Sequence, residues 1–185
     1  EPEWVASNRP LFESPKARDL SRVGVIDIGS NSVRLVVFDG AARSPAYFFN
    51  EKVMCGLGAG LAETGKLNPA GRTRALSALR RFCSITKGIG LPDLTAVATA
   101  AVREASDGLE FVAQVLEEIG LKIHVIDGPE EARLSAQGVL LGWPGSYGLV
   151  CDIGGGSMEL AEISNGEVGQ RLTTALGPLK LINIK

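Results

Sequence analysis

The chain has 185 residues, of which 45% are hydrophobic and 22% charged, and its formal net charge is −2 at pH 7. This composition is typical of a soluble globular protein with one domain or two very small ones, and the charge gives no reason to expect a nucleic-acid partner. No apolar stretch reaches the ~18 residues of a membrane span, so we expect no membrane association.

The three cysteines show no paired spacing, which argues against disulfides and makes the cytoplasm the simplest compartment. Cys83 and Cys151 fall in apolar runs and are predicted to be small core residues.

The N-terminal part of the chain combines a polar arm with β-structure. Residues 1–21 contain three prolines and no apolar core, so we expect an N-terminal arm and no secretory leader. Residues 23–38 are predicted to form a β-hairpin, and residues 46–54 a third strand. The glycine-rich segment 56–65 is predicted to be a loop.

Helices and strands alternate in the middle of the chain. Asn68 and Pro69 indicate the start of a long helix, with Asn as the N-cap and Pro at the first helical position. A short buried strand is predicted at residues 94–100. Asp107 is predicted to cap the next helix, with Glu110 in the capping-box position.

The last third of the chain returns to strands. A strand is predicted at residues 123–126, a helix at about 128–141, a second hairpin between residues 149 and 163, and a further strand at 167–172. Hairpins followed by alternating strands and helices predict a mixed α/β sheet covered by helices. A five-stranded mixed sheet of this order is the ribonuclease-H-like lobe, and we expect residues 22–185 to form one such lobe without a second.

The two predicted hairpins contain loops that are nearly alike. Residues 27–32 read DIGSNS, and residues 152–157 read DIGGGS. Small residues in a tight turn expose backbone N–H groups and hydroxyls, which suit phosphate oxygens. We predict that the two loops face each other and hold one phosphate chain. The candidate phosphate-binding residues in them are Ser30, Asn31, Ser32, Gly154, Gly155, Gly156 and Ser157.

Acidic residues flank these loops. Asp27 and Asp152 each lie where a strand enters its loop, a position from which a carboxylate can hold Mg²⁺. The structural alternative is a turn in which Asp only satisfies nearby N–H groups, and the duplication favours the metal. Glu159 returns across from Asp152 on the second strand, so the two carboxylates converge, whereas the first hairpin has Arg34 at that position. A solvent-facing Glu159 on an edge strand is the alternative.

Three further residues carry possible chemistry. Glu130 and Glu131 occupy the first turn of a helix, where the helix dipole stabilises acids. One of them can instead polarise a water molecule in a cleft, and the residues alone leave the two interpretations balanced. Arg103 follows a strand at its C-terminal end and suits phosphate oxygens, with a solvated arginine as the alternative.

Four motifs occur in a fixed order. They are VIDIGSNSVR at residues 25–34, TAAVREA at 99–105, DGPEEARL at 127–134 and VCDIGGGSMEL at 150–160. With them the chain resembles the exopolyphosphatase/guanosine-pentaphosphate phosphohydrolase (Ppx/GppA) family of the actin, sugar-kinase and heat-shock ATPase superfamily. The resemblance covers about residues 20–182 and implies the N-terminal lobe of an actin-like ATPase fold.

The resemblance also implies an activity. Such a hydrolase releases orthophosphate from the end of inorganic polyphosphate, or the 5′ γ-phosphate from guanosine pentaphosphate (pppGpp), with Mg²⁺. By resemblance Glu131 is the catalytic base, and Asp152 and Glu159 are Mg²⁺ ligands, with Asp27 nearby. Arg103 would offset charge on the transferred group, and family members are commonly homodimers. Phosphate-contacting positions fall on Asn31, Arg103, Gly154, Gly155 and Ser157.

The chain departs from the family pattern in two places. Residues 56–60 read GLGAG where family members typically have RLGEG, and residues 106–108 read SDG where the family has an Asn. The alternatives are a pppGpp phosphohydrolase, a sugar kinase or chaperone-type ATPase, and a lobe that binds polyphosphate without hydrolysing it. The EEAR helix followed closely by the GGGS hairpin disfavours the kinase and the chaperone.

Overall fold

The computed structural model of the chain describes residues 22–39, 47–91 and 93–181. The arm predicted at residues 1–21 lies outside them, as does residue 46 of the predicted third strand. The strands are β1 (Val23–Ile28), β2 (Ser32–Phe38), β3 (Tyr47–Met54), β4 (Asp93–Ala98), β5 (Ile123–Val125), β6 (Gly148–Ile153), β7 (Met158–Ser164) and β8 (Glu167–Thr174). The helices are α1 (Leu61–Thr64), α2 (Pro69–Ile89), α3 (Ala100–Glu104), α4 (Gly108–Ile119), α5 (Gly128–Gly142) and α6 (Pro178–Leu181). Over these ranges no helix is both long enough and apolar enough to cross a membrane.

The larger sheet has five strands in the order β3-β2-β1-β4-β5. Its hairpin strands pair antiparallel, and β1 pairs with β4, and β4 with β5, in parallel. Parallel neighbours need a crossover connection, and the helical segments between β1 and β5 provide it. The predicted ribonuclease-H-like, actin-like fold class with its five-stranded mixed sheet is confirmed.

The main core lies between this sheet and helices α2 and α4. Alternate residues of the central strands point into it, because side chains alternate between the two faces of a strand. Phe82 of α2 and Phe111 of α4 are fully buried there. The strand residues of this core include Ile26, Ile28, Val33, Leu35, Val37, Ala96 and Ala98. The core therefore holds the C-terminal end of β1, and the loop after it, in a fixed position.

The second hairpin lies in a separate sheet of three antiparallel strands, β6-β7-β8. Helix α5 covers one face of this sheet, with Ala132 and Ala136 packed among Ala161 and Ile163. The two hairpins share their register, because Asp27 pairs with Arg34 in the first and Asp152 with Glu159 in the second. Although the sequence predicts one lobe over residues 22–185, the hairpins belong to two sheets, and the assignment to lobes stays a prediction.

The other face of the three-stranded sheet is open among the described residues. Leu149, Ile153 and Leu172 are 69%, 62% and 55% exposed there. Cys151 lies between Leu149 and Ile153 on the same face and is also exposed. The prediction that Cys151 is a core residue is therefore wrong, because α5 covers the opposite face.

Two helix starts test the capping predictions. The Asn68 side chain accepts a hydrogen bond from the Gly71 amide at 2.8 Å, so it caps α2 as predicted. The capping box at Asp107 is wrong, since its side chain makes no cap hydrogen bond. The Asp107 carboxylate instead accepts from the Leu67 amide at 2.9 Å and pairs with Arg72 at 3.2 Å. It ties α4 to the start of α2.

Candidate active site

The repeated loop sequence has a repeated geometry. In the first loop the Gly29 amide donates to the Ser32 carbonyl at 2.9 Å, and in the second the Gly154 amide donates to the Ser157 carbonyl at 2.9 Å. Each hydrogen bond closes the turn between two antiparallel strands. The sequence duplication thus corresponds to two equivalent turns.

The two loops lie against each other. A Cβ atom added to Gly156 would lie 3.0 Å from Ser30 Oγ, and one added to Gly155 would lie 3.1 Å from Ser30 Cβ. A side chain at either glycine would be in tight contact with Ser30, so the glycines favour the close approach of the loops as well as an exposed backbone. Gly177 also packs directly on the backbone of residues 155–157.

Both loops line one cavity of about 480 Å³. The structure brings most of the predicted site residues to its wall. Arg103 and Glu159 are not in that wall and lie behind it. The predicted residues in the wall are Asp27, Ser30, Asn31, Ser32, Glu131, Asp152, Gly154, Gly155, Gly156 and Ser157.

The two adjacent acids of α5 have different partners. Glu130 is held by Arg133, whose Nε donates to one carboxylate oxygen at 2.7 Å and whose Nη2 donates to the other at 2.5 Å. Glu131 lines the cavity and accepts from Arg103 Nη1 at 3.0 Å. The same Arg103 nitrogen also donates to the Ile126 carbonyl at 2.9 Å. Of the two acids that the sequence leaves balanced, Glu131 is the one that faces the cavity.

The pKa of Glu131 is raised to about 7, chiefly by burial, and the negative charges of Glu159 and Asp152 contribute to the rise. The hydrogen bond and positive charge of Arg103 oppose this rise without cancelling it. A carboxylate with a pKa near neutrality can accept a proton from water much more readily than an ordinary glutamate. Glu131 therefore has the position and the basicity of a general base.

This raised pKa predicts a pH dependence of stability. Between pH 4.5 and about 7 the folded chain keeps a proton on Glu131 that the unfolded chain has released. The free energy of unfolding should therefore fall as pH rises through this window, by up to about 3 kcal/mol from this group. Urea unfolding at pH 5 and 7.5, without divalent cations, should show a smaller fall for Glu131→Gln than for the unsubstituted chain. Equal falls would contradict the prediction.

The carboxylates of the second hairpin are each bound by a hydroxyl group. Ser135 Oγ donates to Asp152 Oδ2, and Thr173 Oγ1 donates to Glu159 Oε1 at 2.8 Å. Glu159 is only 1% exposed, and its Oε2 atom has no hydrogen-bond partner among the described residues. A solvent-facing Glu159 is therefore not what the structure shows.

Asp27 approaches this carboxylate pair from the first hairpin. Desolvation by the surrounding cavity wall and the charge of Asp152 raise the pKa of Asp27, while Arg34 and Lys52 lower it. Within residues 22–39, 47–91 and 93–181, no three or more His, Cys, Asp or Glu side chains group closely enough to hold a metal ion. A bound cation would therefore take part of its ligand shell from water or from phosphate.

Three residues near the cavity are missing from the sequence predictions. Lys52 lines the cavity, at a position whose strand partner is Arg34. Thr173 is the strand partner of Glu159. Both become visible only once the strand register is known. Ser135 had a sequence signal, because it lies four residues after Glu131 on a helix and so on the same face.

The chain belongs to the Ppx/GppA phosphatase family, whose model matches residues 25–183. It is 32% identical over 163 residues to Exopolyphosphatase 1 of Mycobacterium tuberculosis, an alignment that covers 86% of this chain and 47% of that protein. Exopolyphosphatase 1 of Mycobacterium leprae is also 32% identical, over 86% of this chain and 48% of its own length. The chain thus spans about half the length of these relatives.

Solved structures of the family have the same fold. An exopolyphosphatase from Cytophaga hutchinsonii superposes with a TM-score of 0.82 at 32% identity, over 88% of this chain and 53% of that one. The Aquifex aeolicus family member superposes with a TM-score of 0.77 at 29% identity, over 87% of this chain and 53% of that one. The fold matches both relatives over most of the present chain.

Proposed function

We propose that this chain is the phosphate-binding part of a Mg²⁺-dependent exopolyphosphatase, which releases orthophosphate from the end of inorganic polyphosphate. The observation that carries the proposal is the single cavity lined by both loops and by Glu131. Backbone N–H groups in tight turns bind anions without a helix N-terminus. Two such turns on one cavity suit a chain of phosphates held from two sides, and the exopolyphosphatase relatives support this substrate.

The donor atoms fit a hard divalent cation. Asp152 and Glu159 are strand partners, and the buried Oε2 atom of Glu159 has no partner in the described structure. Mg²⁺ is commonly held by one or two carboxylates, with water and substrate phosphate completing its octahedral shell. We therefore assign Asp152 and Glu159 as the protein ligands, with Asp27 beside them. A cation held there would offset negative charge on the phosphate oxygens.

The chain's own residues supply the remaining steps. The two loops hold the terminal phosphates through backbone N–H groups and the hydroxyls of Ser30, Ser32 and Ser157. Glu131 accepts a proton from a water molecule as that water attacks the terminal phosphorus in line. The phosphoanhydride bond breaks, and orthophosphate and a chain shorter by one phosphate leave. Arg103, hydrogen-bonded to Glu131, orients this carboxylate, and its charge offsets that of the transferred group.

Phosphate release is the direct test. Long-chain polyphosphate with Mg²⁺ should yield orthophosphate, and removal of Mg²⁺ should stop the reaction. The near alternative is a pppGpp phosphohydrolase, whose substrate ends in the same phosphoanhydride. Faster release from pppGpp than from polyphosphate would favour that alternative.

Two observations favour a further candidate, a lobe that binds polyphosphate and is inactive by itself. Large apolar side chains are exposed on the three-stranded sheet, and the relatives are about twice as long as this chain. We propose that these residues form a lobe whose cleft is closed by additional polypeptide. Polyphosphate binding without phosphate release by the 185-residue chain, with release by a longer form, would support this candidate.

The proposal includes a homodimer of the full-length protein in the cytoplasm. Family resemblance supports the dimer, and the cysteine pattern supports the compartment. Sedimentation of the full-length protein and fractionation of cells would test the two statements separately. A monomer, or a protein found outside the cytoplasm, would contradict them.

Lys52 is expected to contribute to polyphosphate affinity. It is the one lysine or arginine among the described residues that line the cavity, so Lys52→Met removes a positive charge facing the phosphates. A charged hydrogen bond contributes about 1.5–3 kcal/mol, so KM for polyphosphate should rise about tenfold or more. Lys87→Met, at the exposed end of α2, is the matched control. Equal KM values for the two variants would contradict the assignment.

A further inference from the structure

One face of helix α5 reaches three of the four acids of the candidate site, namely Glu131, Asp152 and Glu159. Gly128, Glu131 and Ser135 are spaced i, i+3 and i+7, so they lie along one side of the helix. Glu131 lines the cavity, and Ser135 donates to the carboxylate of Asp152. Gly128 lies against Thr173, the residue that donates to Glu159.

Position 128 has no room for a side chain, because Thr173 lies too close. A Cβ atom at this position would lie 2.5 Å from Thr173 Cβ and 2.7 Å from Thr173 Oγ1. Thr173 can therefore sit against the first turn of α5, with its hydroxyl on Glu159, only because residue 128 has no side chain. The start of the helix and the Glu159 carboxylate are coupled through this contact.

The hydroxyls engage only part of each carboxylate. Thr173 binds Oε1 of Glu159 and leaves the buried Oε2 without a partner among the described residues. Ser135 binds Oδ2 of Asp152. A buried charged oxygen with no partner is costly in free energy. A site that binds a cation accounts for this cost, because the cation would satisfy the oxygen.

We propose that Ser135 and Thr173 are positioning residues, which fix one oxygen of Asp152 and of Glu159 and leave the other oxygen of each for one divalent cation. The proposal rests on the proposed function, since it assigns that cation to the same carboxylate pair. Helix α5 carries Glu131, Ser135 and the Gly128 contact. This helix therefore fixes where the carboxylates of Asp152 and Glu159 lie relative to the base, Glu131. Hydrogen-bond partners of metal ligands typically change metal affinity 10–100-fold when removed.

The test is a titration of the chain with Mn²⁺ alone, followed by electron paramagnetic resonance. Mn²⁺ prefers the same oxygen ligands as Mg²⁺ and is directly detectable. Ser135→Ala and Thr173→Val should each weaken Mn²⁺ binding about 10–100-fold. Ser135→Thr and Thr173→Ser keep the hydroxyl and should restore most of the affinity. Ser164→Ala, an exposed serine at the far end of β7, is the matched control.

Several outcomes separate this proposal from the proposed function. Wild-type affinity in both hydroxyl-free variants overturns the positioning role, even if the enzyme hydrolyses polyphosphate. Failure of the unsubstituted chain to bind Mn²⁺, or unchanged binding in Asp152→Asn, overturns it as well. The expected pattern of Mn²⁺ affinities, with no phosphate release by either the 185-residue chain or a longer form, supports the positioning role and contradicts the hydrolase. If circular dichroism shows that Thr173→Val does not fold, the comparison of Ser135→Ala with Ser135→Thr decides the outcome. Both the Mn²⁺ affinity and the metal dependence of phosphate release are then measured for these two variants.

Discussion

Substitution of Glu131 by Gln should lower kcat for polyphosphate hydrolysis on the order of 10²–10⁴-fold, the usual contribution of a general base. The amide keeps the shape of the side chain, and its oxygen can still accept from Arg103, so the cavity should stay intact. What is lost is the ability to take a proton from water. KM and the affinity for polyphosphate should therefore change little. Measurements of orthophosphate release by the complete protein check the expected loss of kcat. Equilibrium binding of polyphosphate, measured separately, checks the unchanged affinity.

Glu130→Gln is the matched control, because Glu130 is the neighbouring acid and has its own partner in Arg133. This change breaks a partly exposed ion pair, which typically contributes about 0–1 kcal/mol to stability. Its kcat should stay close to that of the unsubstituted protein. The base assignment is wrong if Glu131→Gln keeps near-full activity, or if both variants lose activity equally.

The pH profile provides an independent check of the same residue. A base with a pKa of about 7 becomes ionised as pH rises through neutrality, so kcat should rise with pH through that region. A bound divalent cation beside Glu131 would stabilise its charged form and move this rise to lower pH.

The fold could be predicted from local signals because those signals are strong. Asn68-Pro69 specifies a helix start through one side-chain hydrogen bond and one fixed backbone angle, and the structure contains both. Asp107 stands at the N-cap position of α4 but makes no side-chain cap, because its carboxylate binds the Leu67 amide and Arg72, 40 and 35 residues away in sequence. A long-range ion pair of this kind has no local signature. The sheet to which a strand belongs is equally non-local, so the separate sheet of the second hairpin could not be predicted.

In the candidate site, too, the features with local sequence signals could be predicted, and those that depend on long-range contacts could not. The two loops could be predicted because each is a short sequence whose turn closes on itself, and duplication drew attention to them. Apart from the family resemblance, nothing in the sequence separates Glu131 from Glu130, because their contacts with Arg103 and Arg133 depend on how α5 packs. Lys52 and Thr173 could not be predicted, because each is placed at the site by the residue it pairs with on the neighbouring strand. The sequence of a single strand does not contain that pairing.

Substitution of Gly177 by Ala should disrupt the second phosphate loop and lower stability. A Cβ atom on Gly177 would lie 2.3 Å from the carbonyl carbon of Gly156 and 2.4 Å from the Gly155 oxygen. These are backbone atoms that cannot rotate aside, so the loop itself has to move. Overpacking of this kind lowers the free energy of unfolding by about 1–3 kcal/mol. The shift would also strain the hydrogen bond from the Leu179 amide to the Gly155 carbonyl.

The Gly177→Ala change should also affect function, because the loop that has to move lines the cavity. Gly177 and Ser30 pack on the same glycine loop, so a methyl group on Gly177 alters how that loop meets the first one across the cavity. Polyphosphate affinity should fall about tenfold or more, in line with the loss of one or more charge-assisted hydrogen bonds. Gly138→Ala is the control, because a Cβ there meets no atom within 4 Å and alanine favours the helix by about 1 kcal/mol. Thermal unfolding and polyphosphate binding by both variants distinguish the effects, and a Gly177→Ala protein with unchanged melting temperature and affinity would show that the loop contact does not constrain the site.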